Sequence, residues 1–389
     1  MRILALTWKH PLDHTAGGAE RYLVEVCRRW VSAGHEVTIF GPRLPAHLGF
    51  AEDKLGLPYV AKKSRLGVFN AARRYLRANG HLYDRILETV STRPFAAHRI
   101  VGNKAVALYH QTAEDVWQQE FPLPLALAAR YVLEPSWIRG MRTARVVANS
   151  PSTAASLARF GVASLGIVPP GCDPQSAESA RVGPHQPPKV LWIGRLVRTK
   201  RPMDALLAFE LIRRRMPGAT LDVVGSGYLE AGLRSRARAG ATVHGYLKEP
   251  DKARLLAAAD ILLLPGTREG WGIVAMEAAA NGVPVVAYDI PGLRDAVVDG
   301  VTGVLVPRTP GALGEAAVQI LENEQVWRMQ STAGIVWASS HTWDDVADRL
   351  LAVLRGGEPR GVADGTEVVV ARSTVSRCHS GSPAPGPSQ

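Results

Sequence analysis

The sequence predicts an α/β protein built from two doubly wound domains in series. Short apolar runs alternate with amphipathic helical patterns along most of the chain, which is typical of parallel sheets covered by helices. A length of 389 residues is enough for two such domains. Residues 171–189 contain Pro, Gly and Ser without periodicity, so we interpret them as a linker or an exposed loop between the domains.

In the first half, the first helix is predicted at residues 19–34, where the pattern ends at Gly34. The strands predicted there are residues 2–8, 35–41, 84–90, 104–110 and 144–150. The alternation starts again in the second half, with strands at 189–196, 219–227, 242–247, 261–267 and 283–289 and helices at 201–217, 228–240, 251–260 and 272–282. After the run 300–307 we expect two closing helices, the last of them near the end of the periodic sequence.

These patterns divide the chain into four predicted parts. The domains are residues 1–165 and 166–340, followed by a closing helix at 341–356. Residues 357–389 lose all periodicity and end in a Ser, Pro and Gly-rich stretch, so we expect a disordered tail.

Composition excludes some classes of protein and leaves others open. No run of about 18 apolar residues occurs, so we expect no membrane span, and the N-terminal run predicts a strand rather than a signal peptide. The three cysteines have no metal-ligand spacing, which favours a reducing compartment and therefore a cytoplasmic protein. Residues 1–160 carry 22 Lys and Arg against 12 Asp and Glu, whereas residues 161–389 carry 24 against 23. The basic half can face a phosphorylated substrate, an anionic lipid or a nucleic acid, or it can be a solvated surface.

Two loops that follow predicted strands carry groups suited to a phosphorylated ligand. Gly17 and Gly18 precede the first helix and have no side chains, so a ligand can approach the helix N-terminus closely. Arg195 stands just after a strand, and Lys200 follows five residues later. An arginine fork and a lysine beside a helix N-terminus suit a diphosphate. An ordinary Gly-rich turn and two solvated cations are the alternative interpretations.

A third loop, after the strand at 261–267, places two carboxylates around a helix N-terminus. The first N–H groups of that helix can bind phosphate oxygens, because they lack partners within the helix. The residues at this N-terminus are Gly270, Trp271 as an apolar wall, Gly272, Ile273 and Val274. Phosphate would repel Glu269 and Glu277, so we expect these carboxylates to bind the hydroxyls of a sugar and a ribose. The ligand predicted in this way is a nucleotide-diphosphate sugar, although a helix-terminal charge and a surface glutamate are alternatives.

At these motifs the chain resembles the retaining glycosyltransferases of the GT-B fold, in the large family 4 group (glycosyl transferases group 1). The second half resembles the family at "GRLVRTK", "VVGSG", "VHGYL" and from "AADILLLPGT" to "VTGVLVP", and the most specific element is the Glu-x7-Glu pattern. The first half resembles it at "GGAER" and "VALYHQ", so the resemblance extends over about residues 1–355. It implies two Rossmann-like domains facing an interdomain cleft.

The resemblance also implies an activity and residue roles. The enzyme would move a hexose from a nucleotide-diphosphate sugar to an acceptor hydroxyl with retention of anomeric configuration. His110 and Glu269 would be catalytic, and the other residues named above would bind the donor. Trp271 stands where the family usually has Phe, and Asp295 stands where it often has Glu. The family's diphosphate contacts are mostly metal-free, so we expect no metal and no cofactor.

The acceptor side is harder to interpret. Residues 62–80 form a basic amphipathic segment that suits an anionic membrane surface at the inner face of a membrane, or a lipid-linked acceptor. Its cations are Lys62, Lys63, Arg65, Arg73, Arg74 and Arg77, around Leu66, Phe69 and Leu76. A solvated helix face is the alternative, and a glycan or a small molecule is an alternative acceptor.

Other functions remain as alternatives. A nicotinamide oxidoreductase is disfavoured because neither "GSGYLEAG" nor "TAGGAER" has the GxGxxG spacing. A sugar-nucleotide epimerase or phosphorylase with the same fold is a nearer alternative, and so is an inactive partner protein. We expect no nucleic-acid partner, because no recognised module is present.

Overall fold

The computed structural model describes residues 1–13, 15–44, 55–61, 67–173 and 183–357. Within these ranges the chain forms two six-stranded sheets in which every pair of neighbouring strands is parallel. The prediction of two parallel α/β domains is therefore confirmed. Residues 174–182 of the predicted linker and residues 358–389 of the predicted tail lie outside the described residues.

The two sheets have the same strand order. The strands of the first sheet are Arg2–Leu6 (β1), Glu36–Gly41 (β2), Tyr59–Ala61 (β3), Arg85–Val90 (β4), Ala105–Tyr109 (β5) and Arg145–Ala148 (β6). Those of the second sheet are Lys189–Ile193 (β7), Thr220–Val224 (β8), Ala241–Gly245 (β9), Ile261–Leu264 (β10), Val285–Tyr288 (β11) and Gly303–Val306 (β12). The order is β3-β2-β1-β4-β5-β6 in the first and, running the other way, β12-β11-β10-β7-β8-β9 in the second. Both are the Rossmann order, in which the chain reverses its direction of progress after the third strand.

Helices lie between most successive strands of the described ranges. In the first domain they are Gly18–Ser32 (α1), Val68–Asn79 (α2), His98–Val101 (α3), Val116–Glu120 (α4), Leu123–Ala128 (α5), Glu134–Arg139 (α6) and Pro151–Ala158 (α7), with a π-helical turn at Ala129–Leu133. In the second they are Pro202–Arg215 (α8), Glu230–Arg236 (α9), Glu249–Ala258 (α10), Ile273–Ala280 (α11), Leu293–Ala296 (α12), Pro310–Glu322 (α13) and Glu324–Ser339 (α14), and Trp343–Arg355 (α15) follows them. Short 3-10 turns lie at Gly80–Leu82, Gly102–Lys104 and Arg198–Lys200.

Each sheet is buried on both faces, as its apolar strands require. Along β1, Ile3 and Ala5 belong to the core beneath α1 and α15, whereas Leu4 and Leu6 belong to the core beneath α2. Successive side chains of a strand point to opposite faces, so one short apolar strand contributes to two cores. The second domain has one large core that includes residues of β7, β10 and β11.

Two details differ from the sequence-based expectations. The three-residue edge strand β3 was not predicted, and in the part of the chain described after β12, which ends at residue 357, three helices are present rather than two. The additional break lies at Asn323, whose side-chain oxygen accepts a hydrogen bond of 3.1 Å from the Val326 N–H and so caps α14. A capping residue inside a continuous helical pattern divided one expected helix into two.

The last helix returns to the first domain. Trp343, Val346 and Leu350 of α15 are buried in the same core as residues of α1. The Trp30 indole N–H donates to the Ala347 carbonyl at 2.9 Å, and Arg145 donates to the Val353 carbonyl at 2.5 Å. Guanidinium groups at the last carbonyls of a helix also complement its dipole. The C-terminal helix is thus a structural part of the N-terminal domain.

The strand order places the predicted site loops. Ligands of doubly wound sheets bind outside the carboxyl ends of the strands, where the order reverses. In the second sheet that point lies between β7 and β10, and in the first between β1 and β4. Arg195 and Lys200 follow β7, Glu269 follows β10, and the Gly17–Gly18 loop follows β1. The fold therefore directs three separate sequence motifs towards one cleft.

Candidate functional site

The N-termini of α1 and α11 meet across the cleft between the domains. A Cβ atom on Gly18 would lie 3.0 Å from the Ile273 Cδ1 atom, so a larger residue would crowd the contact. Gly17 precedes α1, and its N–H donates to the Glu20 carboxylate at 2.8 Å. Two helix N-termini, each a source of unpaired N–H groups and positive potential, therefore line the same cleft.

The Gly270 backbone contacts the first domain directly. A Cβ atom there would lie 2.2 Å from the His110 carbonyl oxygen and 3.0 Å from the Asn149 Nδ2 atom. Since real Cβ atoms do not approach this closely, the two domains can meet here only with glycine at position 270. The predicted catalytic histidine and the Glu269 loop are thus adjacent.

The His110 side chain is buried and uncharged. Burial lowers the pKa of His110 to about 3, because the charged form loses its hydration. Its ring packs edge-on against Tyr22 of α1, with ring centroids 5.4 Å apart. In the described part of the chain, the buried Nε2 atom has no hydrogen-bond partner. A neutral imidazole with a free nitrogen can exchange a hydrogen bond with a ligand hydroxyl.

Arg195 is exposed and lies two residues after the end of β7. The pKa of the Glu20 carboxyl is raised by burial, and the positive charges of Lys9 and Arg195 oppose that rise. Arg195 is therefore close enough to act electrostatically on the first turn of α1.

Lys200 and Glu269 form an ion pair between the loops that follow β7 and β10. Both side chains are about one-fifth exposed, at 20% and 22%, so a ligand in the cleft can reach them. The two residues lie 69 positions apart in the sequence, and the strand order brings them together. A cation and a carboxylate from the predicted diphosphate and sugar sites are therefore neighbours.

Glu277 lies in the middle of α11 and pairs with cations of two helices. The Arg21 guanidinium of α1 forms an ion pair with its Oε1 atom. The Lys252 ammonium of α10 lies 3.3 Å from Oε1 and 3.5 Å from Oε2. The Glu277 side chain is only 8% exposed, which agrees with the packed helix expected from the alanines around it.

The N-terminus of α11 has a special backbone conformation. Gly272 precedes the helix with φ of +95°, a left-handed conformation that favours glycine. The first hydrogen bond into the helix runs from the Ala275 N–H to the Gly272 carbonyl at 2.8 Å, so the N–H groups of Ile273 and Val274 precede it. Ile273 and Val274 are half-buried, which leaves this turn accessible from the cleft.

The structure places Trp271 differently from the other predicted residues. Its side chain is 5% exposed and belongs to the core of the second domain. Its ring lies 5.7 Å from that of His341, just before α15. A contact between Trp271 and the donor sugar stays a prediction.

Several contacts between the domains were not anticipated from the sequence. Arg268 is buried and donates to the Thr112 carbonyl at 2.6 Å, to the Glu114 carboxylate at 3.0 Å and to the Ser156 hydroxyl at 3.1 Å. Asp295 accepts a hydrogen bond of 3.1 Å from the Ser152 N–H at the start of α7, so its carboxylate caps a helix of the first domain.

A second set of contacts joins α4 to the loops that follow β7, β8 and β10. The Glu120 carboxylate accepts bonds from the Thr199 N–H at 2.9 Å and from the Tyr228 hydroxyl at 2.6 Å. The Thr267 hydroxyl donates to Gln119 at 3.0 Å. The sequence signals for these residues were weak, because each partner lies 79 or more positions away. Arg21 had a signal, since it ends the "GGAER" motif.

The basic segment at 62–80 is partly described. Lys62, Lys63, Arg65 and Leu66 lie outside the described residues. In α2, Leu76 is buried and Phe69 packs against Phe95 with ring centroids 4.8 Å apart, so the apolar side of this helix faces the core. Arg74 and Arg77 are exposed and Arg73 is half-buried.

A different segment exposes apolar side chains beside the cleft. It follows α4 directly at residues 121–133 and includes α5 and the π-helical turn, and we call it the apolar rim. Its exposed residues are Phe121, Leu123, Leu125, Leu127, Tyr131, Val132 and Leu133. Leu123, Tyr131 and Val132 are each more than 60% exposed. Contiguous exposure of this kind marks interaction sites more often than ordinary surface.

Two further properties concern metals and membranes. Among the residues that the structure describes, no three His, Cys, Asp or Glu side chains are grouped as a metal site would require. In the same residues, no helix combines the length and the apolar character needed to cross a bilayer.

Comparisons with known proteins bear on both halves. The family model described as Glycosyltransferase Family 4 matches residues 16–176, and that described as Glycosyl transferases group 1 matches residues 175–358. The chain is 30% identical to a D-inositol 3-phosphate glycosyltransferase of Catenulispora acidiphila, over 91% of this chain and 94% of the relative. It is 28% identical to a glycogen synthase of Mycobacterium tuberculosis, over 89% and 92%.

Solved structures show the same architecture. Sucrose-phosphate synthase from Thermosynechococcus elongatus superimposes with a TM-score of 0.70 at 20% identity, over 91% of this chain and 98% of that one. HepE from Anabaena, solved with UDP and glucose, gives 0.70 at 18% identity, over 91% and 99%. These similarities, together with the two matching family models and the relative from Catenulispora, lead to one conclusion: the chain belongs to the glycosyltransferases and has their GT-B fold.

Proposed function

We propose that this glycosyltransferase moves a hexose from a nucleotide-diphosphate sugar to an acceptor hydroxyl, with retention of anomeric configuration. The observation that carries the proposal is the cleft itself. It brings together Lys200, Glu269 and the N-terminus of α11, with Glu277 behind them. A cation and a helix N-terminus suit a diphosphate, and carboxylates suit hydroxyl groups. HepE and its nucleotide-sugar complexes, although only 18% identical, support this class of donor.

In this proposal each group of the donor has a place. The diphosphate lies against the N–H groups of Gly272, Ile273 and Val274 and near Arg195 and Lys200. Gly17 and Gly18 leave room for it on the opposite side of the cleft. Glu277 accepts hydrogen bonds from the ribose hydroxyls. Glu269 and His110 contact the transferred sugar, and Gly270 holds these two residues adjacent.

The reaction then follows from charge. The bond between the anomeric carbon and the phosphate oxygen breaks, and a bond between that carbon and the acceptor oxygen forms on the same face. The acceptor proton passes to the departing phosphate oxygen. Negative charge develops on the diphosphate, where Arg195, Lys200 and the α11 N-terminus stabilise it. Fixed electrostatic groups of this kind usually make the largest contribution to the rate enhancement of an enzyme. His110 stays uncharged and therefore acts through hydrogen bonding.

We propose further that no metal is essential for donor binding. Two side-chain cations and two helix N-termini already face the proposed diphosphate position. Metal-dependent transferases use a divalent cation for the same neutralisation, so the two designs are alternatives. Donor affinity that is unchanged by a chelator supports this proposal.

For the acceptor side we propose contact with a lipid surface through the apolar rim, with the protein at the inner face of the membrane. The rim continues from α4, which is itself bonded to the loop after β7. An amphiphilic acceptor presented there would reach the cleft without leaving the bilayer. The apolar side of α2 is used by the core of the first domain, so we favour the rim over the basic segment.

The first experiment is a thermal-shift screen with UDP, GDP, ADP and dTDP, each with and without a divalent metal. We expect one nucleotide to raise Tm independently of metal. We expect Glu277→Ala to lower the affinity of the chain for that nucleotide. Leu207→Ala, an exposed position on α8, is a matched control. An unchanged affinity of Glu277→Ala would contradict the ribose role.

The screen also distinguishes the alternatives. A parallel measurement with NAD is needed for the oxidoreductase: a shift with NAD alone favours that function, whereas no shift with NAD or with any of the four nucleotides favours an inactive partner. If a nucleotide binds, incubation with its sugar conjugate separates a transferase from an epimerase. A transferase releases the nucleoside diphosphate and retains the anomer in the product, whereas an epimerase changes the sugar of the intact donor.

A further inference from the structure

Arg21 links the two domains at the proposed ribose site. It belongs to the first turns of α1, in the first domain, whereas Glu277 belongs to α11, in the second. Its guanidinium pairs with the Oε1 atom of Glu277, and the two side chains are 28% and 8% exposed. The Asp173 carboxylate lies 3.6 Å away on the exposed side. The best-buried partner of Arg21 is therefore a residue of the other domain.

The Glu277 carboxylate still has capacity for a ligand. A carboxylate can accept about four hydrogen bonds, two on each oxygen. Arg21 occupies Oε1, and among the described residues the Oε2 contact is the Lys252 ammonium at 3.5 Å, the limit of a hydrogen bond. Two hydroxyl groups of a ribose can therefore be accepted without displacement of Arg21.

The two cations of this cluster differ in one respect. Lys252 lies on α10, within the same domain as Glu277, and also pairs with Glu249 at 2.9 Å. Its contact persists whatever the arrangement of the domains. The contact of Arg21 exists only when the first domain is closed against the second.

We propose that Arg21 is a positioning residue for the donor nucleotide: from the first domain it fixes the carboxylate that binds the ribose in the second. This inference rests on the proposed function, since it requires a nucleotide at Glu277. Arg21 orients Glu277 through the ion pair and adds positive charge near the diphosphate, three residues after Gly18. Donor affinity is therefore coupled to closure of the domains through this side chain.

The test compares Arg21→Ala, Arg21→Lys and Arg29→Ala. Arg29 is a matched control because it lies on the same helix with similar exposure, 26%. It shares Asp173 with Arg21 and pairs with Glu25 and Asp344, but it does not pair with Glu277. The probe is the nucleoside diphosphate that gives the largest thermal shift with the wild-type chain. Titration calorimetry gives its Kd, and initial rates with the sugar conjugate give KM and kcat.

We expect Arg21→Ala to raise Kd and donor KM about tenfold, within the range of coupled charged pairs, and Arg29→Ala to change them less than about twofold. Arg21→Lys should recover part of the lost nucleotide affinity, because lysine restores the charge but not the guanidinium geometry. Tm of each free variant shows whether it is folded. If Arg21→Ala binds the nucleotide as well as Arg29→Ala does, or more tightly than the wild type, the proposal is wrong.

A double-mutant cycle adds a readout that a merely structural role would not change. In the Glu277→Gln background, Arg21→Ala should weaken nucleotide binding by less than about twofold, because the pair is already broken. Full additivity would contradict the coupling. Failure of the proposed function looks different, since the wild-type chain would then bind none of the four nucleotides.

Discussion

At the scale of single residues, the site depends on groups whose charge is set by burial. His110 is the clearest case, because its side chain is buried and its ring packs against Tyr22, while the Glu269 loop contacts its backbone carbonyl. A protonated imidazole in such surroundings would lack the hydration that stabilises its charge in water, so the ring stays neutral. The side chain is suited to hydrogen bonding rather than to electrostatic stabilisation of the diphosphate.

This leads to a prediction about stability and pH. The folded pKa of His110 is lowered to about 3 from the ordinary value of 6.5, so below pH 6.5 the unfolded chain binds a proton that the folded chain does not. The contribution of the neutral His110 to the free energy of unfolding is therefore complete above pH 6.5 and is lost progressively as pH falls towards 3. Between pH 7.5 and 5 His110 should therefore cost about 2 kcal/mol relative to a residue that does not titrate.

The measurement is chemical denaturation of the wild-type chain and His110→Gln at both pH values. The wild type should lose more stability than the variant on acidification, by about that amount. Since the other histidines are common to both chains, the comparison isolates position 110. A difference that does not vary with pH would contradict a neutral, buried His110.

Single residues also show where the sequence is informative and where it is not. Glu269, Lys200 and Gly270 follow strand ends and could be predicted as ligand groups. The ion pairs Lys200–Glu269 and Arg21–Glu277 could not be predicted from the sequence. Such pairs form only when two loops or two domains meet. Trp271 was expected in the sugar pocket and packs against His341, a residue 70 positions later.

At the scale of secondary-structure elements, apolar strands and amphipathic helices were predictable because their periodicity is local. The edge strand β3 was not, since three residues are too few to show a period. The region between β5 and β6 was also obscure. There α4, α5, the π-helical turn and α6 follow each other closely, and their apolar residues are divided between buried and exposed positions.

The apolar rim gives the prediction at this scale. Leu125 and Tyr131 are 51% and 62% exposed, so replacing both by Asp should leave the fold intact. Burial of each large apolar side chain contributes about 1.5 kcal/mol or more, so the double variant should bind anionic vesicles at least about tenfold less. Co-sedimentation with phosphatidylglycerol-containing liposomes measures this, with Arg74→Ala/Arg77→Ala on α2 for comparison. Equal binding of wild type and rim variant would show that the rim is not the docking surface.

At the scale of the whole molecule, contacts on several sides of the cleft hold the two domains together. Arg268 reaches into the first domain and is enclosed by the loop after β5 and by α7. Asp295 caps α7, and Glu120 reaches the loop after β7. The domains are therefore closed on each other and joined by polar contacts on several sides, beside the apolar packing of Ile273 against the first domain.

Arg268 provides the prediction at this scale. Arg268→Met keeps most of the apolar stem but leaves the Glu114 carboxylate without this partner, and breaking a buried pair typically costs about 3 kcal/mol. Urea denaturation should show that decrease in the free energy of unfolding. Arg328→Met, at an exposed ion pair with Glu324, should cost less than about 1 kcal/mol. Comparable losses in both variants would show that Arg268 does not contribute to domain association.

The return of α15 to the first domain affects how the protein is made. During translation, residues 1–173 leave the ribosome without the helix that covers one face of their sheet, including the partners of Trp30 and Arg145. About 170 more residues must follow before Trp343 appears. At roughly 5–20 residues per second, this takes on the order of 10 to 35 seconds. Of the two domains, the one that is synthesised first is therefore completed second, and one face of its sheet stays exposed to chaperones in that interval.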